Sequence, residues 1–225
     1  DLEQPYGRKT SASRGEMAAS SKIIILAVKP QNMAAVLDEI TDFITDEKTV
    51  VSLAAGITLS YLQSQLKTKK LIRVRINTPA IVQEGMSVMS LCECFSDKDI
   101  AMVREIFMSV GKVLTMPEKY INAVTALSGS GPAFIALFVE AMIEAGAKMG
   151  LSRDNASELA IQTLIGTAKL LETGMSPKRL MEMVASPGGT TAAGLKAFEE
   201  RGLKDIVYDA LRSALKRAEE LGRRE

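Results

Sequence analysis

The run Lys22-Ile-Ile-Ile-Leu-Ala-Val28 constrains this chain more than any other segment. An unbroken apolar stretch of strand length, closed by Lys29-Pro30, predicts a strand buried on both faces, as in a parallel sheet covered by helices. Pro30 suits the first turn of a helix, and Met33, Val36, Leu37 and Ile40 follow at helical spacing. The alternation then repeats. Thr49 to Ala55 reads as a strand ended by Gly56, and Thr58 can cap a short helix through about Leu66. Leu71 to Arg75 is a third strand, ended by Asn77-Thr78-Pro79, and Gly85 to Leu91 a fourth. Asp97 to Met108 reads as a helix and Lys112 to Met116 as a strand. Strand and helix in alternation imply βαβ units and an open α/β sheet. Asp1 to Ala19 holds either a short helix or a loop.

After about Glu118 no strand-like run occurs and helical periods continue to the end. The expected division is therefore residues 1–120 as an α/β domain and 121–225 as an all-helical one. The first long helix of the second part is expected to open at Ser128-Gly-Ser-Gly-Pro132, with Ser130 as N-cap and Pro132 in the first turn. Glu140, Glu144 and Lys148 form a narrow polar stripe on it, while Phe134, Ile135, Leu137, Phe138, Val139, Met142 and Ile143 occupy the other faces. A helix so apolar around its circumference must be buried. One small helical domain offers little to bury it against, so a partner subunit is the economical cover. Ser152 is expected to cap a helix ended by Gly174, Pro177 to Ala185 forms another, and Ser186-Pro-Gly-Gly-Thr-Thr191 is a sharp loop before two final helices.

Composition removes whole classes of function. The 225 residues contain no histidine, which excludes Ser-His-Asp and Cys-His nucleophile systems and every His-ligated zinc site. A net charge of +1, with no tryptophan and 4% aromatic residues, argues against a nucleic-acid interface. Two cysteines, Cys92 and Cys94, cannot build a disulfide framework and suit a reduced, intracellular setting. Cys92-Glu93-Cys94 lacks further soft ligands, so no metal site is expected. No unbroken apolar run reaches the length of a membrane helix; the longest, Pro132 to Val139, stops at Glu140 and Glu144. The chain begins at Asp1 without an initiating Met, so the lack of a targeting peptide carries no weight.

Two places point to chemistry. Lys29-Pro30, Gly56 and Asn77-Thr78-Pro79 put small and turn-forming residues at three successive strand ends, the edge at which open α/β sheets bind ligands. Each alone is also an ordinary strand-to-helix turn. In Ser186-Pro-Gly-Gly-Thr-Thr191, adjacent glycines let backbone N–H groups converge, and Thr190 and Thr191 open a helix whose first donors are free. Such a turn suits a carboxylate or phosphate with a hydroxyl alongside, and it also serves as a plain flexible connection between helices. Ser128-Gly-Ser-Gly-Pro132 reads better as a cap with close helix packing.

In this order, the segments Ala27-Val-Lys-Pro30, Val51-Ser-Leu-Ala-Ala-Gly56, Asn77-Thr-Pro79, Leu127-Ser-Gly-Ser-Gly-Pro-Ala133 and Ser186-Pro-Gly-Gly-Thr-Thr191 resemble the pyrroline-5-carboxylate reductases. The likeness runs from about Ala18 to Leu221, and the last two motifs together are its most specific part. It implies a Rossmann-like domain for NADPH or NADH, followed by a helical domain that binds substrate and interlocks with that of a second subunit. Dimers of the family often assemble further, commonly into decamers. It implies reduction of the cyclic imine 1-pyrroline-5-carboxylate to L-proline in the cytoplasm, the last step of proline biosynthesis, with no nucleic acid, membrane or metal involved. By position, Ala27, Val28, Lys29, Pro30, Ala54, Ala55 and Gly56 should border the cofactor, and Asn77 should lie near its nicotinamide end. Ser186, Gly188, Gly189, Thr190 and Thr191 should form the substrate loop, with Thr191 the catalytic residue that hydrogen-bonds the imine nitrogen.

The sequence also departs from that pattern. The family's opening strand, Gly-rich turn and helix are not in it, so the expected dinucleotide domain lacks its first βαβ half-unit, on the order of 30 residues. Arg75-Ile76 stands where Met-Pro is usual; Arg75 either brings a charge to the cofactor crevice or points outward. Glu182-Met183 stands where Asp or Asn is common. Two other assignments remain: a non-catalytic helical oligomerisation module with a truncated cofactor domain, and another two-domain NAD(P) dehydrogenase.

Overall fold

Three short parallel strands set the frame. The computed structural model describes residues 11, 13–92, 95 and 97–222, so Glu93 and Cys94 of the Cys-Glu-Cys segment lie outside the described residues. Helix α1 (Arg14–Ser20) precedes β1 (Ile23–Leu26), and α2 (Met33–Ile40) follows it after a 3-10 turn over Pro30–Asn32. Next come β2 (Thr49–Ser52), α3 (Leu59–Gln65) and β3 (Leu71–Ile76). Strand β4 (Gly85–Leu91), α4 (Asp97–Met108) and β5 (Gly111–Thr115) complete the α/β part. The sheet order is β1-β2-β3-β4-β5.

The expectation of βαβ units holds except at one connection. The pairs β1–β2, β2–β3 and β4–β5 are parallel, but β3–β4 is antiparallel, with Arg75 opposite Val88 and Ile76 opposite Ser87. Residues 77–84 alone join β3 to β4, fewer than the dozen or so that a parallel crossover needs. Met33, Val36, Leu37 and Ile40 are all buried, as their spacing predicts, and pack with Leu59 and Leu62 of α3 against Ile24, Leu26, Val50 and Leu71. On the opposite face Val51, Ile72, Val74, Met89 and Val113 pack against Val103 and Phe107 of α4.

Strand β1 corrects the opening expectation. Its faces are covered unequally: Ile24 and Leu26 are buried, while on the other face Ile23 is partly buried against the α4-side core and Ile25 is 40% exposed. It is the edge strand among the described residues, and α4 covers its face of the sheet farther in, over β2 to β5.

Beyond β5 the structure is helical: α5 (Ile121–Val124), a π-helical turn over Thr125–Gly129, α6 (Gly131–Lys148), α7 (Arg153–Glu172), α8 (Pro177–Val184), α9 (Thr190–Glu200) and α10 (Leu203–Gly222). Ser152 caps α7 through the N–H of Asn155, and Gly174 ends it at φ +92°. The chain divides into two compact units, one reaching Ser130 and taking in the chain from Ser213, the other Gly131–Arg212.

Ser130 is not an N-cap. Its backbone is in the right-handed helical region, and its N–H donates to the Thr125 carbonyl at 2.9 Å, five residues back, closing the π turn. Its hydroxyl donates to the same oxygen at 3.3 Å. The helical run Glu118–Lys148, 31 residues, is also long and apolar enough to cross a membrane by length and composition. Counting unbroken apolar runs missed this, because two glutamates do not cancel the apolar remainder. No residue of α6 is buried; Ile135 is 51% and Leu137 64% exposed in the single chain.

Candidate functional site

Strands β1, β2 and β3 run the same way, so Ala27–Pro30, Ala54–Gly56 and Asn77 share the carboxyl edge of the sheet. Ala27 and Lys29 are exposed there, Pro30 is half-buried and opens the 3-10 turn, and Val28 packs on the core beneath. Ala54 is buried and its N–H donates to Ser52 Oγ at 3.3 Å. Gly56 sits at φ +84°, where a Cβ would also come within 3.1 Å of the Leu221 carbonyl oxygen, so the position admits little but glycine. The N–H groups of Ala55 and Gly56 make no hydrogen bond among the described residues. Free main-chain donors at a left-handed turn fit the oxygens of a dinucleotide. The first turn of α3 is not such a site. Thr58 Oγ1 accepts from Tyr61 N at 3.1 Å, and Glu118 Oε1 accepts from Leu59 N at 2.8 Å.

Asn77 is held from two sides. Its Oδ1 accepts from Met86 N at 2.8 Å, and its Nδ2 donates to Ser128 O and Ser128 Oγ, each at 3.3 Å. The clamp has a local cause. Pro132 has no N–H to offer the Ser128 carbonyl four residues back, and the Asn77 amide supplies the donor. The end of β3, the start of β4 and the π turn are thereby fixed together. Arg75 lies beside this clamp, half-buried, so close to Gly129 that a Cβ there would be 3.1 Å from its Nε and Nη2.

In the other unit, the Ser186–Gly189 segment is a β-turn closed by Gly189 N donating to Ser186 O at 2.9 Å. Pro187 and Gly188, the latter at φ +73°, take the two central positions of a type II turn. A Cβ on Gly189 would meet Ser186 Oγ at 2.5 Å. Gly189 is the N-cap of α9 and caps it with no side chain, and the first α9 bond found is Ala193 N to Gly189 O at 3.1 Å. The N–H groups of Thr190 and Thr191 therefore make no hydrogen bond among the described residues, and both threonines are exposed, as are Ser186 and Gly188. Glu182 and Met183 are exposed on α8, with Glu182 3.9 Å from Arg179.

Sequence reasoning missed the pairing of Arg73 with Glu118 and the hold of Asn77 on Ser128. An arginine inside the apolar run Leu71–Val74 was the available signal, since a buried cation needs a partner. Its partner, 45 residues away, carries no local mark.

Comparison with known proteins agrees with this arrangement. Residues 118–221 match the family described as pyrroline-5-carboxylate reductase dimerisation, and residues 1–56 match NADP oxidoreductase coenzyme F420-dependent. The whole chain is 41% identical to a pyrroline-5-carboxylate reductase of Methanosarcina acetivorans, covering 84% of it. A pyrroline-5-carboxylate reductase from Coxiella burnetii superposes with a TM-score of 0.91 at 34% identity, over 97% of this chain and 83% of that one. The Plasmodium falciparum pyrroline carboxylate reductase with NADP bound gives 0.87 at 32% identity, over 97% and 85%. Identity at this level over nearly every described element, from the sheet edge through the double-glycine turn, leads to one conclusion: the chain belongs to the pyrroline-5-carboxylate reductase family.

Proposed function

We propose that this chain reduces 1-pyrroline-5-carboxylate to L-proline with NADPH or NADH, the last step of proline biosynthesis. The observation that carries the proposal is the type II turn Ser186–Gly189 leading into an α9 whose first N–H groups are free, in a chain 41% identical to a reductase so named.

The nicotinamide cofactor, when bound, supplies a hydride to the imine carbon. The chain's own work is to hold and align. Free N–H groups at Thr190 and Thr191 receive the substrate carboxylate, with Ser186, Gly188 and Gly189 shaping the turn. The Thr191 hydroxyl supports the imine nitrogen and the amine it becomes. A protonated imine is already electrophilic, so this chemistry asks for alignment rather than a strong base, and the chain has no histidine to serve as one. Ala27 to Pro30 and Ala54 to Gly56 border the cofactor, and Asn77 fixes the wall at its nicotinamide end. Residues 1–120 form the dinucleotide-binding part and 121–225 the substrate-binding and dimerisation part.

The apolar surface of α6 is covered by a second copy of the chain rather than by lipid, in a homodimer that assembles further into a decamer. The family match over 118–221 supports this reading. The enzyme works in the cytoplasm, without nucleic acid, membrane or metal. The test is direct: the purified chain is mixed with 1-pyrroline-5-carboxylate and NADPH or NADH, and proline is measured by chromatography. Stoichiometric proline and oxidised cofactor are expected; none with either coenzyme would overturn the proposal.

A further inference from the structure

Arg75 is a charge without a counter-charge. No carboxylate lies within ion-pair distance of it among the described residues, no hydrogen bond is made by its guanidinium, and its Nε is buried. Among the described residues, the ion pair on this part of β3 belongs to Arg73, whose Nη1 donates to Glu118 Oε1 at 3.0 Å. Burial, and next the nearby charge of Arg73, lower the Arg75 pKa from its ordinary value. An uncompensated, half-buried cation is costly to a fold, and such positions concentrate where a ligand supplies what is missing.

The place is informative. Arg75 stands at the carboxyl end of β3, the edge at which an open α/β sheet binds its ligands. It packs on Gly129, while Asn77, two residues on, holds Ser128. Both side chains therefore address the same π turn, and the turn fixes where the guanidinium stands. Turns of this kind recur at functional positions.

We propose that Arg75 is a specificity-determining residue that receives an anionic oxygen group of a bound ligand, a carboxylate or a phosphate. This deepens the function proposed above and rests on it for the identity of the ligands, which offer two sources of that chemistry: the carboxylate of the imine or proline, and the phosphates of the dinucleotide. Guanidinium nitrogens suit either, and their charge-assisted bonds are among the stronger polar contacts.

The test compares the full-length wild type with Arg75→Met, which keeps an unbranched apolar side chain, and Arg75→Lys, which keeps the charge. Melting temperature is measured without ligand, with NADP+ and with L-proline, alongside dissociation constants for each and KM and kcat for cofactor and imine. Arg75→Met is expected to melt at or above the wild-type temperature without ligand. It should bind one of the two ligands about ten- to a hundredfold more weakly, with KM for that ligand rising and kcat largely kept. Arg75→Lys should recover part of the loss. Weaker binding of proline assigns the carboxylate, and weaker binding of NADP+ assigns the phosphates. Wild-type binding of both ligands by Arg75→Met would overturn the proposal, as would a lower melting temperature with unchanged ligand responses. Wild-type proline formation keeps the function proposal standing in either case. A wild type that makes no proline but binds NADP+ still decides Arg75 on the NADP+ arm, and one that binds neither ligand overturns both.

Discussion

The Arg73 guanidinium donates to Glu118 Oε1 at 3.0 Å, and the same oxygen accepts the backbone N–H of Leu59 at 2.8 Å. One carboxylate thus neutralises a buried cation of the central strand β3 and closes the first turn of α3. It does so from the residue at which the helical half of the sequence begins.

Glu118→Gln removes the charge while keeping the shape. Arg73 would remain buried without a counter-ion, a situation that costs about 3–5 kcal/mol when complete. The Glu118 side chain is 30% exposed, so water softens the loss, and about 2–3 kcal/mol is expected. Urea unfolding should show a lower midpoint with an unchanged slope. A loss within experimental error of zero would mean that the pair contributes nothing to the stability of the fold.

Thr191→Ala removes a hydroxyl from an exposed helix start whose backbone is untouched. One lost hydrogen bond to the reacting nitrogen is worth roughly 1–3 kcal/mol, or one to two decades in rate. Turnover should fall by that factor with NADPH affinity kept. Wild-type turnover would remove Thr191 from the mechanism.

Gly188→Ala places a side chain at φ +73°, which costs about 1–2 kcal/mol of local strain. The turn shapes the start of α9 and takes no part in the sheet. The imine KM is therefore expected to rise while the dissociation constant of NADPH stays put. Equal effects on both would show that the turn is not specific to the smaller ligand.

Leu137→Glu introduces a charge on α6 at a position 64% exposed in the single chain. The isolated subunit has little to lose there, but an apolar subunit interface would have to bury the new carboxylate. Light scattering on a sizing column should show the wild type as an oligomer and the variant as smaller species. An unchanged mass would place the interface elsewhere.

Arg75 gives a pH prediction with a definite sign. A cation whose folded pKa is lowered destabilises the fold while charged, and that penalty is relieved only as pH rises through the lowered pKa. An arginine ordinarily titrates far above neutrality, and the chain has no histidine. Ligand-free stability should therefore change little between about pH 5 and 8. A steep change in that window would point to a different titrating group.

The strands and helices were legible because their signals are local. The spacing of Met33, Val36, Leu37 and Ile40 states which face of α2 is buried, and Thr58 and Ser152 announce their helices by the donors they cap. Gly188 was legible as well, since the second central position of a type II turn needs the positive φ that glycine adopts freely. The antiparallel β3–β4 pair was within reach of the sequence too, had the short connection 77–84 been weighed against the length of a crossover.

By itself, then, the sequence determined most of the elements, the buried face of helices such as α2 and the turns that bear free N–H groups, because neighbours along the chain settle those matters. The tertiary structure alone decided that Asn77 grips Ser128, that Glu118 answers Arg73 and that Arg75 is left without a partner. It also decided how unequally the two faces of β1 are covered. The physical reason is the same throughout: a hydrogen bond, an ion pair or a buried face depends on which group arrives through space, and groups some 50 residues apart carry no mark of each other in their own surroundings.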